Sequence, residues 1–228
     1  MTWIIGHRGA PRLAPENGLA GFRAALAAGA DGVELDVHES ADGRFLVHHD
    51  PATAAGPLGA LTAAETDRGV AAHGATAVPR LEEALACLAE SGPEPVVFVE
   101  VKALHRWSRL RRLLAPWRER LRLEIQSQDT ALLAEAAADP GGQRLGLIAT
   151  AVPGDAPAAW LRERGLASLS LQYHAVRPGT VAALQAAGMG CHLWTVNAPS
   201  AVAAAWRQAP DAVITDVPDR VRFYAGGA

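Results

Sequence analysis

Short apolar runs alternate with amphipathic stretches along the whole chain, and the two periodicities predict alternating strands and helices. Trp3-Ile4-Ile5 reads as the first strand. Leu19, Phe22 and Leu26 then recur at helical spacing on one face, and the pattern stops at Gly29, as helix ends often do. A second strand is expected over residues 32–38, with others at 96–101, 123–126, 145–149, 169–171, 192–196 and 212–215. Between them lie helical sets such as Leu81/Ala84/Leu85/Leu88, Trp107/Leu110/Leu114, Leu132/Leu133/Ala136, Trp160/Leu161, Val181/Leu184 and Val202/Trp206. Pro178 and Pro199 stand where a first helical turn accepts proline, and Gly165 and Gly188 where a helix end favours glycine.

Residues 45–49 make a ninth strand-like run, one more than an eight-stranded barrel holds. Only six residues separate this run from the second strand, whereas a parallel return needs a crossover of about a dozen. Asp42-Gly43 is instead a hairpin signal, so 45–49 is expected as an antiparallel return arm that brings His49 back beside Glu34. The remaining eight strands, alternating with the helical sets between them, predict a single-domain (β/α)₈ TIM barrel over residues 1–228. Residues 51–78 are rich in Ala and Gly and form a short insertion or lid.

Half of the 228 residues are hydrophobic, which is ample for one such core. A net charge of -3 argues against nucleic acid as a partner and gives no polybasic grip on a membrane surface. Cys87 and Cys191 sit in apolar surroundings far apart in sequence and read as buried free thiols, which suits a reducing compartment. Met1 runs straight into a strand without a signal-like segment, and no stretch approaches the roughly 20 apolar residues of a membrane span. A cytoplasmic protein with a small-molecule partner is expected.

Polar side chains gather at the C-terminal ends of the strands, where barrel enzymes place their chemistry. His7-Arg8-Gly9 follows the first strand, Glu34-Leu35-Asp36 ends the second, and His48-His49-Asp50 ends the return arm. Glu100-Val101-Lys102 ends the third barrel strand, Trp194-Thr195-Val196-Asn197 the seventh and Thr215-Asp216 the eighth. Alternation puts Glu34 with Asp36, and Glu100 with Lys102, on the face opposite Val33, Leu35, Val99 and Val101, hence toward the barrel axis. Three converging carboxylates either hold a hard divalent cation through oxygen or reduce to one buried Glu100–Lys102 pair with rim charges. The carboxylates alone leave both readings open. His7 stands at a strand end beside an Arg that fits phosphate and a Gly that lets a ligand approach the backbone. His38, His73, His105, His174 and His192 read as core or rim residues. No nucleophile elbow, P-loop or dinucleotide fingerprint is present.

These residues resemble a known family. His7-Arg8-Gly9, Pro15-Glu16-Asn17, the run from Gly29 to Val37, Asp42-Gly43 and His49-Asp50 follow the opening of the glycerophosphodiester phosphodiesterases. Pro79-x-Leu81-Glu82-Glu83, Glu100-x-Lys102, Trp194-Thr195-Val196-Asn197 and Ile214-Thr215-Asp216 continue the match in order. The resemblance implies a metal-dependent phosphodiesterase that cleaves glycerophosphodiesters to glycerol 3-phosphate and an alcohol. It gives His7 and His49 acid–base roles, and makes Glu34, Asp36 and Glu100 ligands of one divalent cation, Mg²⁺ or Ca²⁺. Arg8, Glu16, Asn17, Lys102 and Trp194 become phosphate or substrate contacts. A lysophospholipase D-type activity on lysophospholipids is the alternative. The chain departs from the family at Gly18, in residues 51–56, and at Ser127-Gln128, where a Ser-Phe pair is common. Because residues 51–78 pair no apolar face with Lys and Arg, the alcohol is expected to stay in solvent, with no groove for an acyl chain.

Overall fold

The computed structural model describes residues 1–74, 77–92 and 94–226. Their strands are β1 (Trp3–Gly6), β2 (Gly32–Glu39), β3 (Phe45–Val47), β4 (Ala52–Thr53), β5 (Gly56–Pro57), β6 (Val96–Ala103), β7 (Arg122–Ser127), β8 (Arg144–Ala149), β9 (Ser168–Gln172), β10 (Gly190–Trp194) and β11 (Ala212–Thr215). The α-helices are α1 (Leu19–Ala27), α2 (Ala63–Ala72), α3 (Leu81–Glu90), α4 (Trp107–Leu114), α5 (Thr130–Ala138), α6 (Pro157–Glu163), α7 (Thr180–Ala186), α8 (Pro199–Arg207) and α9 (Pro218–Gly226). Eight parallel strands, β1, β2 and β6 to β11, run side by side, and β1 pairs with both β2 and β11. The sheet is therefore a closed barrel, the single-domain TIM fold that the alternation predicts.

The two-residue period sets which atoms lie inside. Val33, Leu35, Val37, Val97, Val99, Val101 and Ile125 pack outward against Phe22, Leu81, Leu85, Leu110 and Leu133 of the helices. Ile5, Val96, Phe98, Ala212 and Ile214 form a smaller apolar cluster inside the barrel. Glu34, Asp36 and Glu100 share the inward face with that cluster, Glu34 level with Phe98 and Asp36 level with Glu100 one inward position further along. No described helix is long and apolar enough to cross a membrane. Both cysteines are buried and free, and burial pushes the Cys191 thiol up to about 12.

β3 returns antiparallel on β2, with Val37 opposite Val47 and Glu39 opposite Phe45, so the excess strand is the hairpin arm. Pairing ends at Val47, and His48 N donates to Asp36 O at 3.1 Å. His49 thus stands one residue from the expected position beside Glu34. The insertion contains β4, β5 and α2, whose Thr62 and Glu65 form a reciprocal capping box. Residues 75 and 76 of that stretch lie outside the described residues. Leu46, Leu58, Ala63, Val70 and Val78 bury a separate small core beneath it. β10 begins at Gly190, two residues before the expected start, because Gly190 pairs with Ser168 and its missing side chain leaves room for Ser168 and His192 inside the barrel. Pro178 precedes α7 rather than opening it, whereas Pro199 does open α8.

Glu39 ties the hairpin to the barrel wall. It is 1% exposed; its Oε2 accepts from His105 N and Arg106 N, and its Oε1 from Arg109 Nη1 at 3.0 Å. The carboxylate meets three donors around the entrance to α4, where the helix dipole favours it. Closure itself depends on Gly32, because a Cβ there would overlap the Val96 carbonyl of β6. Backbone cannot swing aside as a side chain can, so Gly32→Ala is expected to destabilise the fold by about 1–3 kcal/mol or more. Gly92→Ala, where a Cβ meets nothing within 4 Å, should stay within about 0.5 kcal/mol of wild type. Urea denaturation of the two variants checks the contrast, and equal stabilities would rule out the steric account.

Candidate active site

The carboxyl ends of the barrel strands surround a chamber of about 90 Å³. Its rim and walls are His7 from the end of β1, Arg8 beside it, Glu34 of β2, His49 of the return arm and Glu100 and Lys102 of β6. Gln126, Gln128, Ile148, Ser170, Trp194 and Ile214 complete it. Seven of the ten predicted site residues therefore face one space. Asp36, Glu16 and Asn17 stand behind them. A larger depression, about 1010 Å³ around Trp3, Glu124 and Arg144, lies at the opposite mouth, where the strands begin. Barrel enzymes act at the C-terminal face, so the small chamber is the candidate site.

The turn after β1 is tightly built. Gly9 N donates to Gly6 O at 3.1 Å, and a Cβ on Gly9, whose φ is +90°, would press on the Gly21 backbone. Arg8 (φ 52°) and Asn17 (φ 53°) both occupy the left-handed region, a strain on the order of 1–3 kcal/mol each. Specific contacts offset it. Arg8 N donates to Glu34 Oε2 at 3.0 Å, and Asn17 N donates to Arg8 O at 2.9 Å. Asn17 is buried; its Nδ2 donates to Asp36 Oδ2 at 2.8 Å and its Oδ1 accepts from Asp36 N at 3.2 Å. Asn17 thus orients a carboxylate and makes no wall of the chamber. Glu16 takes Arg8 Nη1 on both oxygens, at 3.1 and 3.2 Å.

Glu34, Asp36 and Glu100 offer oxygens that all lie within 4.8 Å of one another. Lys102 Nζ sits 2.7 Å from Glu100 Oε1 and 3.1 Å from Asp36 Oδ1, and Arg8 Nε sits 3.4 Å from Asp36 Oδ2. Burial, reinforced by the charges of Asp36 and Glu100, raises the Glu34 pKa well above the usual carboxylate range. Burial alone would lower the Lys102 pKa, but Asp36 and Glu100 outweigh it and hold the ammonium above its ordinary value. Glu34 Oε1 is buried with no hydrogen-bond partner among the described residues. An orphaned carboxylate oxygen facing two others fits a hard, oxygen-seeking divalent ion, and these residues could hold one.

Each histidine of the chamber is backed by a carboxylate. His7 Nδ1 donates to Asp216 Oδ1 at 2.7 Å, and Asn197 Nδ2 donates to Asp216 Oδ2 at 2.5 Å. Burial alone would raise the Asp216 pKa, but the bonds from His7 and Asn197 hold it below the usual range. His49 Nδ1 donates to Asp50 Oδ1 at 2.8 Å, and His38 Nε2 lies 3.2 Å from His49 O. In both rings Nδ1 is engaged and Nε2 is left for a ligand. His48 Nδ1 is occupied by the Asp50 backbone, and His48 lines a separate groove rather than the chamber. Asp216, Asn197 and His38 are functional neighbours that the sequence reading did not assign. Thr215-Asp216 was visible as a polar strand end, and His38 continues the alternation of Glu34 and Asp36.

That groove, about 770 Å³, runs from His49 and Glu16 past Leu19, Val47, Val70 and Val78. It corrects the expectation that no apolar groove adjoins the site. Its walls come from the packing of β3, α2 and the segment before α3, a tertiary arrangement that the composition of residues 51–78 does not express.

Comparison with known proteins follows this geometry. The chain is 42% identical over 96 residues to a glycerophosphodiester phosphodiesterase of Bacillus altitudinis, covering 37% of this chain and 39% of the relative. Over 49 residues it is 49% identical to one from Caldanaerobacter subterraneus, 22% of this chain and 20% of that protein. The matches thus span well under half the length of these curated relatives. The fold superposes on an Oleispira antarctica phosphodiesterase solved with its product sn-glycerol 3-phosphate, with a TM-score of 0.87, 25% identity, and 99% and 97% of the two chains covered. A glycerophosphodiester phosphodiesterase from Agrobacterium tumefaciens superposes at a TM-score of 0.80 with 24% identity over the whole of both chains, and shows the shared fold. The model of the glycerophosphoryl diester phosphodiesterase family matches residues 7–220, from the His7 turn to the start of the last helix, and the chain belongs to that family.

Proposed function

We propose that this protein hydrolyses glycerophosphodiesters to glycerol 3-phosphate and an alcohol, with one divalent cation, Mg²⁺ or Ca²⁺, and in the cytoplasm. The observation that carries the reading is the chamber itself: three carboxylates within 4.8 Å of one another, between two imidazoles that are each backed by an aspartate. A cation bound by Glu34, Asp36 and Glu100 would supply positive charge to a phosphate oxygen as it gains charge in the transition state. Arg8 and Lys102 add fixed positive charge beside the same phosphate. One imidazole takes the proton of the attacking hydroxyl through Nε2 while the other protonates the departing alkoxide; the family resemblance makes His49 the base and His7 the acid. Asp216 and Asp50 hold the tautomers that this requires. The attacking hydroxyl belongs either to the substrate's glycerol or to water. A second reading is lysophospholipase D activity, in which the groove beside His49 would take the acyl chain.

His7→Ala and His49→Ala should each lower turnover of glycerophosphocholine by about a hundredfold or more, the scale of general acid–base catalysis. His48→Ala should cost little. Asp216→Asn should lower kcat on the order of tenfold with KM nearly unchanged, since it frees the His7 tautomer. Steady-state kinetics of the four variants decides this, and equal losses at His48 and His49 would sink the assignment.

Chelation should abolish activity, and Mg²⁺ or Ca²⁺ should restore it while raising the wild-type Tm by mass action. Glu34 holds its proton to higher pH than an ordinary carboxylate, and that proton must leave before a cation binds. Apparent cation affinity should therefore tighten as pH rises through the elevated Glu34 pKa. Glu34→Gln should melt no lower than wild type without metal, because it removes a repelling buried charge, and it should lose the metal-induced shift. Full activity in excess chelator would remove the cation from the mechanism.

Head-group kinetics separates the two readings. Measured kcat/KM should be similar for choline, ethanolamine and glycerol diesters and lower for lysophosphatidylcholine. A tenfold preference for the lysolipid would show that the groove takes an acyl chain and would promote the second reading.

A further inference from the structure

Nearly all buried polar atoms in folded proteins find a partner, so those that lack one mark a ligand's place or a strain. Two such atoms line the floor of the chamber, Gln126 Oε1 and Ser170 Oγ; among the described residues neither has a hydrogen-bond partner. The side chains are 0% and 1% exposed, so bulk water does not serve them.

The protein beneath them is satisfied by its own contacts. Gln126 Nε2 donates to Glu124 Oε1 at 2.8 Å and lies 3.1 Å from His192 Nδ1. A carboxylate only accepts, so the amide nitrogen must face it, and the oxygen is the end left toward the chamber. Glu124 also accepts from Ser168 Oγ at 2.6 Å and sits 3.3 Å from Arg144 Nε. His192 stacks on Phe98 at 4.5 Å, and burial lowers its pKa. Ser170 stands on β9 between Ile148 of β8 and His192 of β10. Its carbonyl accepts from Trp194 Nε1 at 3.0 Å, which fixes the indole over the same floor. Gln126 Oε1 and Ser170 Oγ are thus left without a partner among the described residues, on side chains that line the chamber.

We infer that Gln126 and Ser170 are specificity-determining residues that bind the terminal hydroxyl of the retained glycerol, the one farthest from the phosphate. This rests on the proposed glycerophosphodiesterase reading and deepens it. Lys102, Arg8 and the carboxylates would hold the phosphate on one side of the chamber, and Gln126 and Ser170 line it with them. By strand register Gln126 sits level with Glu100 and Asp36, so it stands beside the carboxylates, within the space that a phosphate's glycerol would share. A site built to bond a hydroxyl rejects the analogue that lacks it, because the buried acceptors are then left bare.

The test compares kcat/KM for sn-glycero-3-phosphocholine and for 2-hydroxypropyl phosphocholine, which lacks only the terminal hydroxyl and keeps its neighbour. Wild type should prefer the glycerol diester by about tenfold or more. In Ser170→Ala and in Gln126→Met the preference should fall below about threefold. Ser170→Ala deletes no hydrogen bond within the protein, so it decides the matter even if Gln126→Met, which breaks the Glu124 contact, fails to fold. Equal wild-type turnover of the two diesters, or an undiminished preference in Ser170→Ala, overturns this inference alone. Turnover of neither diester by wild type overturns it together with the reading on which it rests.

Discussion

Three carboxylates packed into one buried corner set the terms for everything around them. At an effective dielectric near 20, two unit charges ~4 Å apart repel by about 4 kcal/mol, so three such pairs would cost on the order of 10 kcal/mol. That is comparable with the whole stability of a domain, about 5–15 kcal/mol. The barrel answers with Lys102 against Glu100 and Asp36, Arg8 against Asp36, and the Arg8 amide against Glu34. Two cations do not neutralise three anions. The remainder falls on Glu34, whose raised pKa lets a proton stand in for the missing charge. On the proposed function a phosphodiester would bring a further negative charge to this corner, and a divalent ion is the simplest way to admit it.

The barrel interior is divided by polarity in a way that serves this corner. Ile5, Val96, Phe98, Ala212 and Ile214, from β1, β6 and β11, fill one side with apolar atoms. The other side, β7 to β10, carries Gln126, Gly146, Ser168, Ser170, Gly190 and His192. A Cβ on Gly146 would collide with the Ser168 hydroxyl, so the small residues there make space for polar ones. Apolar packing holds the barrel closed, and the polar half gives a narrow chamber whose floor can read hydroxyl groups.

Much of this was legible in the chain, for physical reasons that differ by element. The alternation through Glu34-Leu35-Asp36 and Glu100-Val101-Lys102 fixes which side chains face the axis, because a strand has only two faces. Asp42-Gly43 and the short spacing after it force a hairpin rather than a ninth barrel strand. β10 starts before the expected His192 because Gly190 is a barrel residue whose missing side chain makes room for Ser168 and His192, a contact that no local pattern expresses. The Thr62-x-x-Glu65 signal of α2 is in the sequence, but the Ala- and Gly-rich context hid it. Contacts across long separations were out of reach. Nothing local says that Asn17 serves Asp36, that Asp216 serves His7, or that Val47 and Val78 wall a groove.

The two catalytic candidates are held by different means, and the difference follows from where each sits in the fold. His7 grows from a barrel strand, and its partner Asp216 is 22% exposed and itself bonded to Asn197, on the neighbouring strand's extension. His49 sits on the hairpin arm, and its partner Asp50 is 69% exposed. An exposed ion pair contributes only about 0–1 kcal/mol, too little to fix a ring against solvent. The bond from buried His38 to the His49 carbonyl, and the packing of Leu46 over Leu58, Val70 and Val78, must therefore set the position of His49. The small core of the insertion is thus part of the active-site scaffold. On the proposed function, residues along β3 and α2 that lie outside the chamber would set how the second imidazole is placed relative to the first.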